Sequence, residues 1–211
     1  MLELIKQTLL QKGYKIFTRK YELNIVGVRA NTNIPDAFDD TMHVFYADGT
    51  DWQYHNYPIT TDPGMHYLKQ PINTAGTAIL KPAQYNNCYA MGLHRGLYSA
   101  LIQKAPVTVI RDFNKDGRLD YHSGKEQTGM FGINIHRAEI NGTTKYVAGY
   151  SAGCQVFANA SDFNAFISMC NQHKKLYGNN FCYTLLEQAD LPNVGNAHVV
   201  PIVSSFLSES R

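Results

Sequence analysis

A cysteine and a histidine lie close enough in the sequence to suggest a nucleophile and its base. Cys154 ends the run Ser-Ala-Gly-Cys at residues 151–154, and His136 lies eighteen positions earlier, at the end of the predicted strand Gly-Ile-Asn-Ile-His. A thiol has an ordinary pKa of about 8.5, so a cysteine nucleophile usually needs a neighbouring base. The small Gly153 would let a substrate backbone approach the sulfur, and such a turn can direct N–H groups at an oxyanion. The alternative is that both residues only pack.

The surroundings of this pair resemble the active-site signature of the YkuD-type L,D-transpeptidases, which are cysteine enzymes that remodel peptidoglycan stem peptides. The shared features are the strand ending in Ile-His, the interval that follows it, and the Ser-x-Gly-Cys turn. The helix sequence Ala-Ser-Asp-Phe-Asn-Ala-Phe and the strand Gly-Thr-Ala-Ile-Leu are also similar to segments of that family. Together these features span about residues 74–80 and 131–168.

The resemblance implies a role for each residue of the pair and its turn. Cys154 would be the nucleophile, and His136 would be a general base that a backbone carbonyl orients. Gly153 and the backbone N–H of Cys154 would help to form the oxyanion hole, and Ser151 would orient the site by hydrogen bonding. The acyl group would come from a peptidoglycan stem peptide and pass either to the amine of a second stem peptide or to water.

The sequence departs from the family pattern at two positions beside the pair. Arg137 stands where the family usually has glycine, and Val156 stands where it usually has an arginine thought to hold substrate. Arg137 either supplies a displaced positive charge to the substrate or lies on the surface. His94 and Arg95 either line a substrate groove, where they would contact stem-peptide carboxylates, or belong to a polar helix face. The altered surroundings of Cys154 would suit hydrolysis as well as transpeptidation.

Two other functions remain open from the sequence. Cys88 precedes a predicted helix, and a helix N-terminus lowers a thiol pKa, as in papain-like wall hydrolases of the NlpC/P60 kind. His94, His122 or His136 would then be the base, but the Asp-Cys-Ser-Gly-Leu signature of that family is absent. The third possibility is a non-catalytic protein that binds the cell wall or belongs to a virion.

A polar segment after the predicted strand 106–113 has the spacing of a calcium loop. Its candidate ligands are Asp112, Asn114, Asp116 and Asp120. Ser123 replaces the bidentate glutamate of the twelfth position, and a polar turn would use the same residue types. Calcium is thus a possible structural ion, and no other cofactor is expected.

Composition limits the partners and the location. The 211 residues are 44% hydrophobic and 17% charged with a net charge of +2, and no block of basic residues suggests nucleic-acid binding. No apolar run is long enough to cross a membrane. The N-terminus lacks the pattern of a signal peptide. We therefore expect a chain that is cytoplasmic as made and acts at the wall if released, or one that has lost its leader. The four cysteines form no Cys-x-x-Cys pair and are expected to be reduced.

The elements that must position the pair are mostly strands. Alternating β-branched and aromatic residues predict strands in 14–30 and 41–61, with a tight turn at Asp48-Gly49. Helical spacing predicts helices at 1–13, 92–105 and 161–178, the last capped by Ser161. We expect one domain over 1–211 that is mainly β (α+β), an L,D-transpeptidase-like β-sandwich or barrel with about three peripheral helices. Residues 190–211 form a tail of unassigned role.

Overall fold

The computed structural model describes residues 1–192, whose strands form a closed barrel and a smaller sheet. Of the predicted tail at 190–211, residues 193–211 therefore lie outside the described part of the chain. In chain order the strands are β1 (Asn24–Arg29), β2 (Asp40–Asp48), β3 (Asp51–Thr60), β4 (Thr77–Leu80), β5 (Ala83–His94), β6 (Tyr98–Gln103), β7 (Val107–Asp112), β8 (Glu126–Gly129), β9 (Ile135–Arg137), β10 (Gln155–Phe157) and β11 (Phe181–Glu187). The helices are α1 (Leu2–Gln11), α2 (Met65–Lys69) and α3 (Ala160–Tyr177), followed by a 3-10 turn at Gln188–Asp190.

The barrel confirms that the fold is mainly β. Its strands follow one another in the order β1-β11-β5-β6-β9-β10-β3-β2, and β4-β7-β8 form the second sheet. Both sheets contribute to one hydrophobic cluster, in which Leu80 and Val109 of the second sheet join Leu101 and Phe157 of the barrel. Within residues 1–192, no helix combines the length and the apolar character that a membrane span requires.

The hairpin of β2 and β3 forms where the sequence predicts it. The two strands pair without a break from Asp40–Ile59 to Asp48–Asp51, so the connecting loop is Gly49 and Thr50. Gly49 has a φ of +71°, which glycine adopts without the strain of a β-carbon. The turn signal and the strand pattern therefore agree with each other and with the structure.

The helix predicted at 92–105 is wrong, because this segment is the hairpin of β5 and β6. Leu93, Leu97 and Leu101 have helical spacing, but only Leu101 is buried, while Leu93 and Leu97 are exposed on the hairpin. The turn between the strands contains Arg95 and Gly96, both with positive φ. Pairing of β5 with β6 and with β11 outweighs the local helical pattern.

Helices α1 and α3 confirm two of the three predicted helices. The cap of α3 is Asn159 rather than Ser161, because the Asn159 side chain accepts hydrogen bonds from the N–H groups of Ser161 and Asp162. Gly178 ends α3 with a φ of +83°. The third helix, α2, was not predicted, since its five residues are too few to show a period.

Helix α3 braces the strand that follows the candidate nucleophile. Phe163 and Phe166 pack on Phe157 of β10, with ring centroids 5.5 and 5.1 Å apart. Burial of each such ring stabilises the fold by about 1.5–3 kcal/mol. The position of β10 is therefore fixed by core packing on one side and by strand pairing on the other.

Two of the other predicted strands are shorter in the structure than their patterns suggest. Residues 14–30 contain only β1. The pattern of residues 129–138 also predicts a strand, but this segment contains only β9 beyond the end of β8. The polar residues from 114 to 128 predict a loop, and this segment includes the start of β8. Polar side chains rather than ladder bonds hold some of this backbone, as when Asn24 bonds both N–H and C=O of Phe17.

Candidate active site

Cys154 and His136 lie at the ends of two neighbouring parallel strands. Strand β9 pairs with β10 so that His136 is opposite Val156 and Ile135 is opposite Gln155. Cys154 immediately precedes β10, and its Sγ lies 3.4 Å from the backbone nitrogen of Asn134, which immediately precedes β9. The cysteine is therefore a diagonal neighbour of His136 across the strand pair.

The ring of His136 is held by a backbone carbonyl. Its Nδ1 lies 2.8 Å from the carbonyl oxygen of Arg137, so Nδ1–H donates this bond and Nε2 is the unprotonated nitrogen. The Tyr98 hydroxyl donates to the same oxygen at 3.2 Å. His136 is only 3% exposed. This arrangement presents Nε2 as a base without the help of a carboxylate.

His94 lies on a strand rather than on the predicted helix, and it packs against His136; its contact with substrate stays a prediction. It ends β5, is buried, and stacks on the His136 ring with centroids 4.0 Å apart and planes inclined by 23°. The Nδ2 of Asn134 lies 3.3 Å from Nδ1 of His94. Asn134 and His136 thus use the same face of their strand to contact His94.

The electrostatic environment keeps both imidazoles neutral. Burial lowers the pKa of His136 to about 3, with a further contribution from the positive charges that His94 and Arg95 can carry. Burial also lowers the pKa of His94. A proton on either ring would lie against its buried, stacked neighbour, so both rings are unprotonated at neutral pH.

The thiol of Cys154 is also neutral at rest. Burial raises its pKa to about 11, although the N–H of Asn134 and the charge of Arg95 oppose this shift. Sγ donates a hydrogen bond to the carbonyl of Gly132 at 3.4 Å. Within residues 1–192, no hydrogen bond joins Sγ to His136. The arrangement suits proton removal during attack rather than a preformed thiolate.

Ser151 closes the turn that carries the cysteine. Its hydroxyl donates to the carbonyl of Cys154 at 2.9 Å and accepts from the N–H of Gly153 at 3.1 Å. These two hydrogen bonds are consistent with the expectation that Ser151 orients the turn that carries Cys154. The oxyanion role expected of Gly153 needs correction, because its N–H is already bonded. The N–H of Cys154 makes no hydrogen bond within the part of the chain that the structure describes.

Gly153 is required at its position for steric reasons. Its φ is +119°, and a β-carbon there would lie 2.2 Å from the carbonyl oxygen of Ala78. The turn before Cys154 therefore packs directly on β4, the strand that resembles the Gly-Thr-Ala-Ile-Leu element. This contact positions the cysteine against the second sheet.

A buried polar network lies beneath β10. The side chain of Gln155 accepts a 2.7 Å hydrogen bond from the Tyr183 hydroxyl and donates to the carbonyl of Thr61. Arg29 donates to the Thr61 hydroxyl at 3.0 Å and forms a buried ion pair of 3.0 Å with Asp62. Burial and the Asp62 charge raise the pKa of Asp40, whose carboxylate accepts from the Thr61 N–H, to about 7.

The two predicted substrate-binding arginines lie near the pair but differ in setting. The guanidinium of Arg137 stacks over the Tyr98 ring at 4.2 Å and is half-buried. Arg95 is exposed at the tip of the β5–β6 hairpin, close enough for its charge to lower the pKa of Cys154. Their contact with substrate stays a prediction.

Cys88 lies in a setting that differs from the one predicted. It is in the middle of β5 rather than before a helix, and burial raises its pKa. Its Sγ donates to the carbonyls of Asn86 and Pro106. All four cysteines are free, and Cys170 is fully buried in the core. The helix dipole on which the papain-like hypothesis depends is therefore missing.

The candidate calcium loop is internally hydrogen bonded. Asn114 donates to the carboxylate of Asp120 at 2.6 Å, while Asp112 and Asp116 accept from backbone N–H groups. No group of three His, Cys, Asp or Glu side chains in residues 1–192 is placed to hold a metal. Calcium binding therefore stays a prediction without geometric support.

Sequence reasoning missed Tyr98, Asn134 and the packing role of His94. The alternation in Gly-Ile-Asn-Ile-His was the available signal, because it places Asn134 and His136 on one face of a strand. Tyr98 was hidden by its assignment to a helix.

Comparisons with known proteins give no relative for this chain. No protein-family model, no curated protein and no solved structure matches it.

Proposed function

We propose that the protein is a cysteine acyl-transfer enzyme acting on peptidoglycan stem peptides, as an L,D-transpeptidase or as a peptidase. The observation that carries the proposal is the pairing of β9 with β10. It sets Cys154 beside a His136 whose Nδ1 is anchored on the Arg137 carbonyl. The substrate class rests on the resemblance of the Ile-His and Ser-x-Gly-Cys segments to the YkuD-type enzymes, and a mainly β fold agrees with that family.

In the proposed reaction, Sγ of Cys154 leaves the Gly132 carbonyl and attacks the carbonyl carbon of a stem peptide. Its proton passes to Nε2 of His136 as the carbon–sulfur bond forms. The free N–H of Cys154 stabilises the oxyanion. Collapse of the adduct breaks the peptide bond, and His136 returns the proton to the departing amine. An amine or water then attacks the thioester, with His136 again as base, and regenerates the thiol.

The test compares the parent with Cys154→Ala and Cys88→Ala on purified peptidoglycan, with products identified by mass spectrometry. We expect Cys154→Ala to abolish product formation and Cys88→Ala to retain it. Product masses then separate hydrolysis from exchange of stem peptides. Cys182→Ala is a matched control, because it removes another half-buried thiol away from the β9–β10 pair.

Two results would contradict the proposal. Loss of product only in Cys88→Ala would identify Cys88 as the nucleophile. A parent that sediments with peptidoglycan but yields no product would indicate the non-catalytic wall-binding function.

A further inference from the structure

A cavity of about 260 Å³ opens beside the turn that carries Cys154. Ala152 lines it two residues before the cysteine, and Ala78, whose carbonyl packs against Gly153, lines it from β4. Phe131 also lines it and directly precedes Gly132, whose carbonyl accepts the bond from Sγ. Both segments that touch the thiol therefore continue into the wall of this cavity.

The cavity contains a buried cation without an anionic partner. Arg111 of β7 is 6% exposed and lines the cavity. Its Nε donates to the Gln127 side chain at 2.8 Å, Nη1 donates to the Gly76 carbonyl at 3.1 Å, and Nη2 makes no hydrogen bond within residues 1–192. The ring of Phe131 covers one face of the guanidinium at 4.9 Å.

The contrast with Arg29 shows what is missing at Arg111. Arg29, which is 2% exposed, forms an ion pair with Asp62, whereas Arg111 has no carboxylate at ion-pair distance in the described part of the chain. A buried charge is costly unless it is paired. Burial lowers the pKa of Arg111, which reflects this unfavourable setting. An anion that enters the cavity would give Nη2 the charged partner that it lacks.

We infer that this cavity is a subsite for a carboxylate of the acyl-donor peptide, which Nη2 of Arg111 binds. The identity of the peptide rests on the proposed function, whereas the carboxylate chemistry follows from Arg111. The exposed side chains of Ile72 and Met130 line the same cavity and contact the aliphatic part of the peptide. The subsite sets specificity by holding an acidic group on an aliphatic stem beside the thiol.

The test combines a change in the protein with a change in the ligand. The probes are a synthetic stem tetrapeptide, acetyl-L-Ala-γ-D-Glu-L-Lys-D-Ala, and the same peptide with every carboxylate replaced by carboxamide. Binding is measured by calorimetry on Cys154→Ala, which cannot turn the peptide over. We expect the carboxamide peptide to bind at least about tenfold more weakly, as for loss of a charged hydrogen bond. In Cys154→Ala with Arg111→Gln this ratio should fall close to one.

Matched variants separate Arg111 from the other cations. Arg111→Lys should keep part of the carboxylate preference, and Arg118→Gln, which removes an exposed charge, should keep all of it. If Arg111→Gln keeps the full preference for the carboxylate peptide, the inference is overturned. It is also overturned if Arg95→Gln, and not Arg111→Gln, loses this preference. If Arg111→Gln does not fold, the Nε–H resonance of Arg111 in Cys154→Ala is followed by NMR. It should shift with the carboxylate peptide, and an unchanged resonance overturns the inference.

Turnover measurements distinguish failure of the subsite from failure of the proposed function. Arg111-dependent binding without any Cys154-dependent product would support the subsite and refute the acyl transfer. Cys154-dependent product with equal kcat/KM for both peptides would support acyl transfer and refute the subsite. Absence of any binding by the carboxylate peptide would overturn the subsite as well.

Discussion

The resting thiol of Cys154 should react slowly with a small electrophile at neutral pH. A pKa of about 11 leaves about one molecule in 10,000 as thiolate at pH 7, against about one in 30 for an ordinary cysteine. The more basic thiolate is intrinsically more nucleophilic, which recovers about tenfold of this roughly 300-fold difference. We therefore expect alkylation by iodoacetamide about 20-fold to 30-fold slower than that of a free cysteine at pH 7.

The assay follows the alkylated peptide that contains Cys154 by mass spectrometry between pH 6 and pH 10, with N-acetylcysteine as reference. The rate should rise with pH throughout this range, without a plateau. His136→Gln should leave the profile nearly unchanged, because no ion pair forms at rest. Arg95→Gln should slow labelling, since the charge of Arg95 lowers the thiol pKa. Arg118→Gln should not change it.

A plateau below pH 8 would refute this reasoning, as would labelling faster than the reference at pH 7. Either result would mean that the thiolate and the imidazolium coexist before substrate binds. His136→Gln would then slow labelling strongly, which gives an independent check on the same conclusion.

Three further predictions concern the stability of the site and its support. Burial lowers the pKa of His136 in the folded protein to about 3. As the pH falls below about 6.5, this histidine is therefore protonated in the unfolded chain but not in the folded one. The parent should thus lose about 2–3 kcal/mol more unfolding free energy than His136→Gln between pH 7 and pH 4.5, measured by urea titration. Gly153→Ala should destabilise the fold by about 3 kcal/mol or more in the same assay, because its β-carbon would lie 2.2 Å from the Ala78 carbonyl oxygen. Arg29→Met should lower the free energy of unfolding by about 3–5 kcal/mol, because it leaves Asp62 buried without its cation. An unchanged urea midpoint in Gly153→Ala would contradict the packing described, and an unchanged midpoint in Arg29→Met would contradict the ion pair.

The sequence was sufficient where local signals and tertiary structure agree. The β2–β3 hairpin has strand alternation and a glycine turn, and α3 has a cap, an apolar stripe and a terminal glycine. The helix predicted at 92–105 was wrong because the three leucines at helical spacing and the turn at Arg95-Gly96 favour different structures. The pairing of β5 with β11 and of β6 with β9 decides for the hairpin, and the local sequence does not show this pairing. Local propensity cannot weigh a strand pairing that closes a barrel.

The pair of Cys154 and His136 could be proposed from the sequence, but its geometry could not. Their relation depends on the register of β9 against β10, which are joined by a long irregular connection. No signal in the sequence indicated Arg111, because its lack of a carboxylate partner depends on the residues that β4 and β8, the neighbours of β7, bring close to it. The stacking of His94 on His136 likewise appears only once β5, β6 and β9 are neighbours in the barrel.

The charges around the thiol also limit when its proton can leave. A peptide carboxylate held by Arg111 would add negative charge near Sγ, so substrate binding would not favour a thiolate formed in advance. In the proposed reaction, the proton then moves to Nε2 of His136 while the carbon–sulfur bond forms. We expect the burst of thioester formation on a stem peptide to be slower in D₂O than in H₂O at matched plateau pH. Acylation that is unaffected or accelerated in D₂O would show that the proton has left Cys154 before attack, and would contradict the neutral resting pair.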